Sequence, residues 1–378
     1  MRKETKLIHG GIFGDEKTGA VSTPIYQTST FKQDAVGKDR GYEYSRTGNP
    51  TRESLEKLIN DLEGGKGGFA FASGMAAIST VLMLFNAGDE VIVSNNVYGG
   101  TFRVLEKVFK RLGIVSKFVD TSLKDNVVNS ITKNTKAIFY ETPTNPLMTI
   151  TNIREISRIA KEYNILSIVD NTFMTPYFQR PIELGADIVV HSATKYLGGH
   201  SDVVAGLVVV NSEELAHKIH FLQNAVGGIL GPQDSYLVIR GIKTLSVRME
   251  RHEKNAKEIA NWLLEQPEVE KVCYPGLHTH PGYDIAKEQM DGFGGVISFE
   301  LKNKDTALKL LNNVKLITLA ESLGGYESLI SYPAKMTHAS IPEEQRLKLG
   351  ITDKLVRLSV GLENYLDLIE DLKNAIRS

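Results

Sequence analysis

The chain is predicted to be an α/β protein, with a mostly parallel sheet in a large domain and a smaller C-terminal α+β domain. Three observations predict this. At 378 residues the chain exceeds what one ordinary core holds, so two domains are expected. From Gly64 to about residue 245, short apolar segments rich in β-branched residues alternate with helical patterns, as in a parallel sheet covered on both faces. Beyond that stretch the alternation stops, and the remaining strand patterns suggest a small sheet with antiparallel pairs.

The first fifty residues lack regular periodicity and are rich in Gly, Pro, Thr and Tyr, as in "TGAVSTPIYQTSTF" and "GYEYSRTGNPTR". Residues 1–50 therefore read as an extended arm. A helix is expected after Pro50, because "TRESLEKLINDLEGG" sets Leu55, Leu58, Ile59 and Leu62 on one face and stops at Gly64. In "GGFAFASGMAAISTVLMLF", Ser73 and Gly74 stand where an N-cap precedes a helix of small and apolar residues. Strands follow at "DEVIVS", "SKFVD", "KAIFYE", "LSIVD", "DIVVHS" and "AGLVVV". Between them, "NIREISRIAKEYN" places Ile153, Ile156, Ile159 and Ala160 on one helical face. These elements give a large domain over residues 51–245 and leave 246–378 for the smaller one. At their junction, "RGIKTLSVRMERHEKNAKEIANWLLEQ" reads as one long helix striped by Ala256, Ile259, Ala260, Leu263 and Leu264. Strands at "VEKVCYP", "GGVISFEL" and "DKLVRLSV" follow, and a last helix, "NYLDLIEDLKNAI", carries Leu368, Ile369, Leu372 and Ile376.

A net charge of −1 gives no electrostatic case for nucleic acid or an anionic membrane as partner. The single cysteine, Cys273, excludes an intrachain disulfide framework and a cysteine-rich metal site, and is compatible with a reducing cytosol. The start, "MRKETKLIHGG", lacks the apolar run of a signal peptide, and no apolar stretch has membrane length. A cytoplasmic protein is expected. His191, His200, His278 and His280 fit no metal-site spacing, so no metal is expected; His278 and His280 read as part of a solvated turn.

In open α/β sheets, ligands bind beyond the carboxyl ends of the strands. Four successive strand patterns deliver polar residues there: Tyr98 after "DEVIVS", Asn145 after "KAIFYE", Asp170 at the end of "LSIVD", and Ser192, Thr194 and Lys195 after "DIVVHS". The helix start at Ser73–Gly74 adds a seat for an anion, phosphate above all. No Gly-Lys-Ser/Thr follows it, so it is not a P-loop, and no Gly-x-Gly-x-x-Gly follows the first strand pattern, which argues against nicotinamide. A lysine, a carboxylate, a flat aromatic wall and a phosphate seat together suit pyridoxal 5'-phosphate. Its aldehyde forms a Schiff base with a lysine, and a carboxylate keeps its pyridine nitrogen protonated. Lys195 is then anchor and acid/base, with Ser192 and Thr194 within reach of the phosphate. Structural alternatives exist for each residue. Lys195 could end a strand at the surface, Asp170 could cap a helix, Arg46 could pair with Glu43 or Glu53, and Arg357 in "LVRLSV" could pair with Glu363.

With these residues assembled, the sequence resembles the Cys/Met-metabolism family of pyridoxal-phosphate enzymes, of fold type I with the aspartate aminotransferase architecture. The resemblance runs through "TKLIHGG", "GYEYSRTGNPTR", "FASGMAA", "VYGGT", "ETPTNP", "VDNTF", "HSATKYLGGHSDVVAG", "AESLGGYESL", "MTHASIP" and "RLSVGLE". It implies that Lys195 carries the cofactor, Asp170 holds the pyridine nitrogen, and Tyr98 stacks on the ring and assists as acid/base. Gly74, Met75, Ser192 and Thr194 would bind the phosphate from the same chain, and Thr172 would lie near the ring. Tyr44 and Arg46 would reach the phosphate of a neighbouring subunit, in a homotetramer built as a dimer of dimers. Asn145, Ser322 and Arg357 would hold the α-carboxylate of a small amino-acid substrate.

Within that family the chain is most similar to the γ-lyases and γ-synthases of cystathionine metabolism. The implied reaction is γ-elimination on L-cystathionine to L-cysteine, 2-oxobutanoate and ammonia, with homocysteine desulfhydration releasing hydrogen sulfide. The alternative is γ-replacement of an O-acyl-L-homoserine by L-cysteine. Methionine-degrading relatives usually carry a cysteine within "VYGGTF", where this chain has Gly100, and an apolar residue at the position of Glu321. A carboxylate at the distal end of the pocket favours a substrate with a second ammonium group. A non-catalytic binding protein on the same fold is the contrasting reading, and the complete set of Lys195, Asp170, Tyr98 and Arg357 argues against it.

Overall fold

Alternation of side chains along short strands decides how the large sheet is covered. A computed structural model describes residues 1–11, 15, 17–337 and 342–377; residues 338–341, the centre of the "MTHASIP" segment, lie outside the described residues. The large sheet contains β1 (Gly67–Phe71), β2 (Glu90–Ser94), β3 (Val115–Val119), β4 (Thr135–Glu141), β5 (Leu166–Asp170), β6 (Ile188–Ser192) and β7 (Gly206–Val210). Their spatial order is β1-β7-β6-β5-β4-β2-β3. Val91, Val93, Phe139, Ile168 and Val190 pack on one face with the helix Gly74–Leu82. Ile92, Ile138 and Val169, one residue out of step, pack on the other with Ile153, Ile156 and Ile159. Each such side chain, fully buried, contributes about 1.5–3 kcal/mol relative to exposure.

Strand direction then brings the functional residues to one edge. β7 pairs antiparallel with both β6 and β1, and the other pairings are parallel. β1 therefore runs with β6 and sends the chain to the same edge. Sequence reading missed β1 and left its residues as a lead-in to the helix. Ser73, just beyond β1, caps the helix as expected, its side chain accepting from the Ala76 N–H at 3.0 Å.

The smaller domain holds β8 (Val269–Cys273), β9 (Val296–Leu301), β10 (Thr318–Leu319), β11 (Leu329–Ser331) and β12 (Leu355–Ser359), in the order β10-β11-β12-β9-β8. All its pairs are antiparallel except β10 with β11. Its core joins Phe299, Ile330 and Leu358 to the C-terminal helix Tyr365–Arg377 through Leu368 and Leu372.

Two expectations need correction. The segment expected as one long helix is two, Pro232–Ile242 and Leu245–Leu264, broken at Lys243–Thr244. Arg248 fixes the break: its guanidinium donates to the carbonyls of Tyr196 and Gly241, each at 2.7 Å, and to the Thr244 hydroxyl at 3.0 Å. The second of these helices runs from the large core, through Leu245 and Met249, into the small one, through Ala256 and Ile259. We propose this break as the junction between residues 51–245 and 246–378. The arm is also not irregular throughout. Lys3–His9 is a helix with Leu7 buried in the large core, and the Lys3 ammonium donates to the Tyr177 carbonyl at 3.0 Å. The exposed excursion that follows carries Tyr44 and Arg46.

Candidate active site

The edge defined by the ends of β2, β4, β5 and β6 opens on a cavity of about 740 Å³, closed on the other side by residues of the smaller domain. Lys195 enters it from a turn after β6. That turn is shaped by the Lys195 N–H on the Ser192 carbonyl and by Thr194, whose hydroxyl accepts from the Ala205 N–H at 3.1 Å. The Lys195 ammonium donates to Ser322 Oγ at 2.7 Å. Burial, helped by the Arg357 charge and opposed by Glu321, lowers its pKa to about 8. A buried amine with a weakened hold on its proton is a competent nucleophile and base.

Asp170 ends β5, lines the cavity and accepts the Thr172 N–H at 3.0 Å. It thus makes a cap-type bond and faces the cavity at once. Burial raises its carboxyl above the usual value, opposed by Thr172 and by His191. His191 itself is fully buried on β6, its Nε2 2.7 Å from Glu63 Oε1. Thr172 joins two strand ends, its hydroxyl accepting the Ser192 N–H at 2.8 Å. Tyr98 stands where the chain leaves β2 for the helix Gly99–Lys107. A Cβ on Gly100 would lie 2.4 Å from Cε1 of Tyr98, so glycine leaves room for that ring.

The anion seat is formed by close backbone approach. A Cβ on Gly74 would sit 2.9 Å from Ser192 Cβ, and one on Gly206 only 2.1 Å from the Ser73 carbonyl oxygen. Glycine at both positions lets the helix start, with Met75, lie against the end of β6. The N–H groups of that helix start and the side chains of Ser192 and Thr194 line the same cavity, a set suited to phosphate, although in this structure the Thr194 hydroxyl donates to the Ala205 carbonyl at 3.3 Å.

Opposite, β12 contributes Arg357, only 2% exposed. Its Nη1 donates to Asn145 Oδ1 at 3.0 Å and its Nη2 to the Ser322 carbonyl at 2.7 Å, whereas Nε is buried without a partner among the described residues. Glu363 is engaged elsewhere, accepting from Ser328. Burial lowers the guanidinium pKa to about 10. A buried cation paired only with neutral oxygens favours an anion arriving from the cavity. Ser322, which serves both Lys195 and Arg357, has a φ of 96°, a strained conformation for a non-glycine residue.

Tyr44 and Arg46 are not brought to this cavity. Arg46 is exposed beside the Tyr44 ring and donates to the Asn224 carbonyl at 2.6 Å rather than to Glu43 or Glu53. Two charged residues of the cavity escaped the sequence reading. Glu141, at the end of β4, accepts the Tyr98 N–H at 2.7 Å, and Arg103 stands at the cavity mouth on the helix after Tyr98. A charged residue closing an apolar strand was the available signal for Glu141.

A lysine of lowered basicity, a buried carboxylate one strand away and a phosphate seat define a pyridoxal 5'-phosphate enzyme of fold type I. The residues fit that cofactor. The chain belongs to the Cys/Met metabolism PLP-dependent enzyme family, whose model it matches over residues 4–377. It is 60% identical over 378 residues to cystathionine γ-lyase of Bacillus subtilis (strain 168), covering 100% of both chains. It is also 60% identical over 373 residues to cystathionine β-lyase of Lactococcus lactis subsp. cremoris (strain MG1363), covering 99% of this chain and 98% of that one. The solved cystathionine γ-lyase of Lactobacillus plantarum, complexed with L-serine, superposes with a TM-score of 0.97 at 54% identity, covering 100% of this chain and 99% of that one.

Proposed function

We propose that the enzyme catalyses γ-elimination on L-cystathionine, giving L-cysteine, 2-oxobutanoate and ammonia, with homocysteine as a second substrate that releases hydrogen sulfide. The observation that carries this reading is the charge at the two ends of the cavity. Arg357 lies deep inside, while Arg103 and Glu321 stand at the rim without an ion pair among the described residues. Cystathionine has an amino-acid head at each end. Arg357, with Asn145 and Ser322, binds the reacting carboxylate, and Glu321 and Arg103 receive the distal ammonium and carboxylate.

Gly74, Met75, Ser192 and Thr194 would hold the cofactor phosphate, Asp170 its pyridine nitrogen and Tyr98 its ring face. Tyr44 and Arg46 would complete the phosphate seat of a neighbouring subunit in a homotetramer. Bound in this way, the cofactor supplies an electron sink for the pair left when a proton departs from Cα. Lys195 would remove that proton, and its hydrogen bond to Ser322 restricts where the amine can lie. Once it has handed that proton on to the cofactor, the same amine would be free to take a proton from Cβ, and that loss would let the γ-sulfur leave. Tyr98 would protonate the departing thiolate.

A second reading is β-elimination of cystathionine to homocysteine, pyruvate and ammonia, favoured by the equal identity to a β-lyase; γ-replacement of an O-acyl-L-homoserine by cysteine uses the same residues. The purified, cofactor-loaded protein would be assayed with cystathionine, and separately with cysteine plus O-acetyl- or O-succinylhomoserine. Cysteine and 2-oxobutanoate are expected to dominate. Homocysteine and pyruvate, or faster formation of cystathionine, would overturn the proposal.

A further inference from the structure

Glu141 is the last residue of β4, and its register partner on the adjacent strand is Asp170. Two carboxyl side chains therefore leave neighbouring strand ends at one edge and line one cavity. Glu141 is only 6% exposed, and no cation pairs with it among the described residues. Its carboxyl is bonded instead by backbone: the Tyr98 N–H donates to Oε1 at 2.7 Å, and the Asn145 backbone donates as well. Those are the aromatic and the amide that β2 and β4 send into the cavity.

Adjacent strands lie roughly 4.8 Å apart. Two carboxyls at such spacing, Glu141 buried and Asp170 partly open to the cavity, with no cation between them, do not both ionise readily. Asp170 is the better seat for the charge, because Thr172 donates to it and His191 of β6 lies on its other side. The other titratable groups facing this edge are Tyr98, Lys195, Glu321 and Arg357 across the cavity and Arg103 at its mouth. Burial first, and then the Asp170 charge, hold the Glu141 carboxyl well above its ordinary value.

We propose that Glu141 is a positioning residue that works as a neutral carboxylic acid, keeping the one proton of the Glu141–Asp170 pair while fixing the turns that carry Tyr98 and Asn145. A single negative charge is then left on Asp170. Only the consequence for the cofactor, that its ring nitrogen meets one carboxylate rather than two, rests on the proposed role of Asp170.

The test compares wild type with Glu141→Gln and Glu141→Ala, without and with pyridoxal phosphate. A carboxyl whose pKa is raised on folding adds stability that is full below its unfolded value and lost as pH rises towards the folded one. The thermal midpoint of the cofactor-free wild type should therefore fall relative to Glu141→Gln as the pH rises above the ordinary glutamate range. Parallel curves would overturn the proposal, because the carboxyl would then hold no extra proton. By fluorescence titration, Glu141→Ala should bind pyridoxal phosphate about tenfold more weakly than Glu141→Gln, since only the amide keeps an acceptor for the Tyr98 N–H. Equal weakening in both variants would mean that the charge, not the acceptor, matters, and would also overturn it. If the alanine variant fails to fold, the pH comparison with the glutamine variant still decides. Asp170→Asn tests the other reading separately: unchanged pH behaviour of the bound cofactor's absorption would remove Asp170 from the ring nitrogen and leave the cofactor-free result standing.

Discussion

The Lys195 side chain is pulled one way by burial and by Arg357, and both favour the neutral amine. Capture of pyridoxal phosphate by the cofactor-free enzyme should therefore speed up with pH and level off above about pH 8, where the ammonium has lost its proton. A stopped-flow pH series checks this; a rise that continues to the ordinary lysine range would show that burial does not act on this amine. Lys195→Ala should abolish both the Schiff-base absorption and turnover. Arg357→Lys replaces a two-armed donor by a point charge, and should raise KM for cystathionine by roughly thirtyfold, at a cost of about 2 kcal/mol for the lost charged bonds. Lys195, Asp170, Tyr98 and Arg357 were legible because each is a polar residue set in or just after an apolar strand. Glu141 occupies a comparable position, yet its role depends on the register that puts it beside Asp170, and register is not written in one strand alone. Arg103 was hidden for a different reason: it lies on an amphipathic helix, where a surface arginine is the ordinary expectation.

Elements legible in the sequence are those whose apolar pattern is strong. β1 was missed because "GGFAF" opens on two glycines, which weaken a strand pattern. The fold demands Gly68, since a Cβ there would lie 2.2 Å from the Glu56 carbonyl oxygen on the neighbouring helix. The break at Lys243–Thr244 was invisible because no proline marks it and its cause, Arg248, binds from the next helix. Gly241 is tied to the same place, for a Cβ would meet the Gly198 carbonyl oxygen at 2.2 Å. The anion seat depends on the same kind of close backbone approach. Gly74→Ala should force the helix start away from Ser192 and weaken cofactor binding about tenfold while leaving the far-ultraviolet spectrum unchanged. Unaltered affinity, read by absorbance titration, would remove the helix start from the phosphate seat.

The molecule as a whole leaves most of residues 17–48 on the outside, with Val21 and Val36 almost fully exposed and Tyr44 47% exposed. If Arg46 completes a neighbour's site, mixtures of Arg46→Ala and Lys195→Ala chains should recover activity that neither variant has alone. Mixtures that stay inactive would confine each site to one chain. The reversed strand β7 has a consequence for the order in which the protein is made. Gly206, where β7 begins, packs against the Ser73 carbonyl and pairs with both Phe71 of β1 and Ser192 of β6. Until the ribosome has released that glycine, the two halves of the anion seat have no strand between them to hold them side by side. Arg357 emerges about 150 residues later, at roughly 5–20 residues per second. If Arg357 holds the substrate carboxylate as proposed, the nascent chain acquires a place for its prosthetic group well before it acquires one for its substrate.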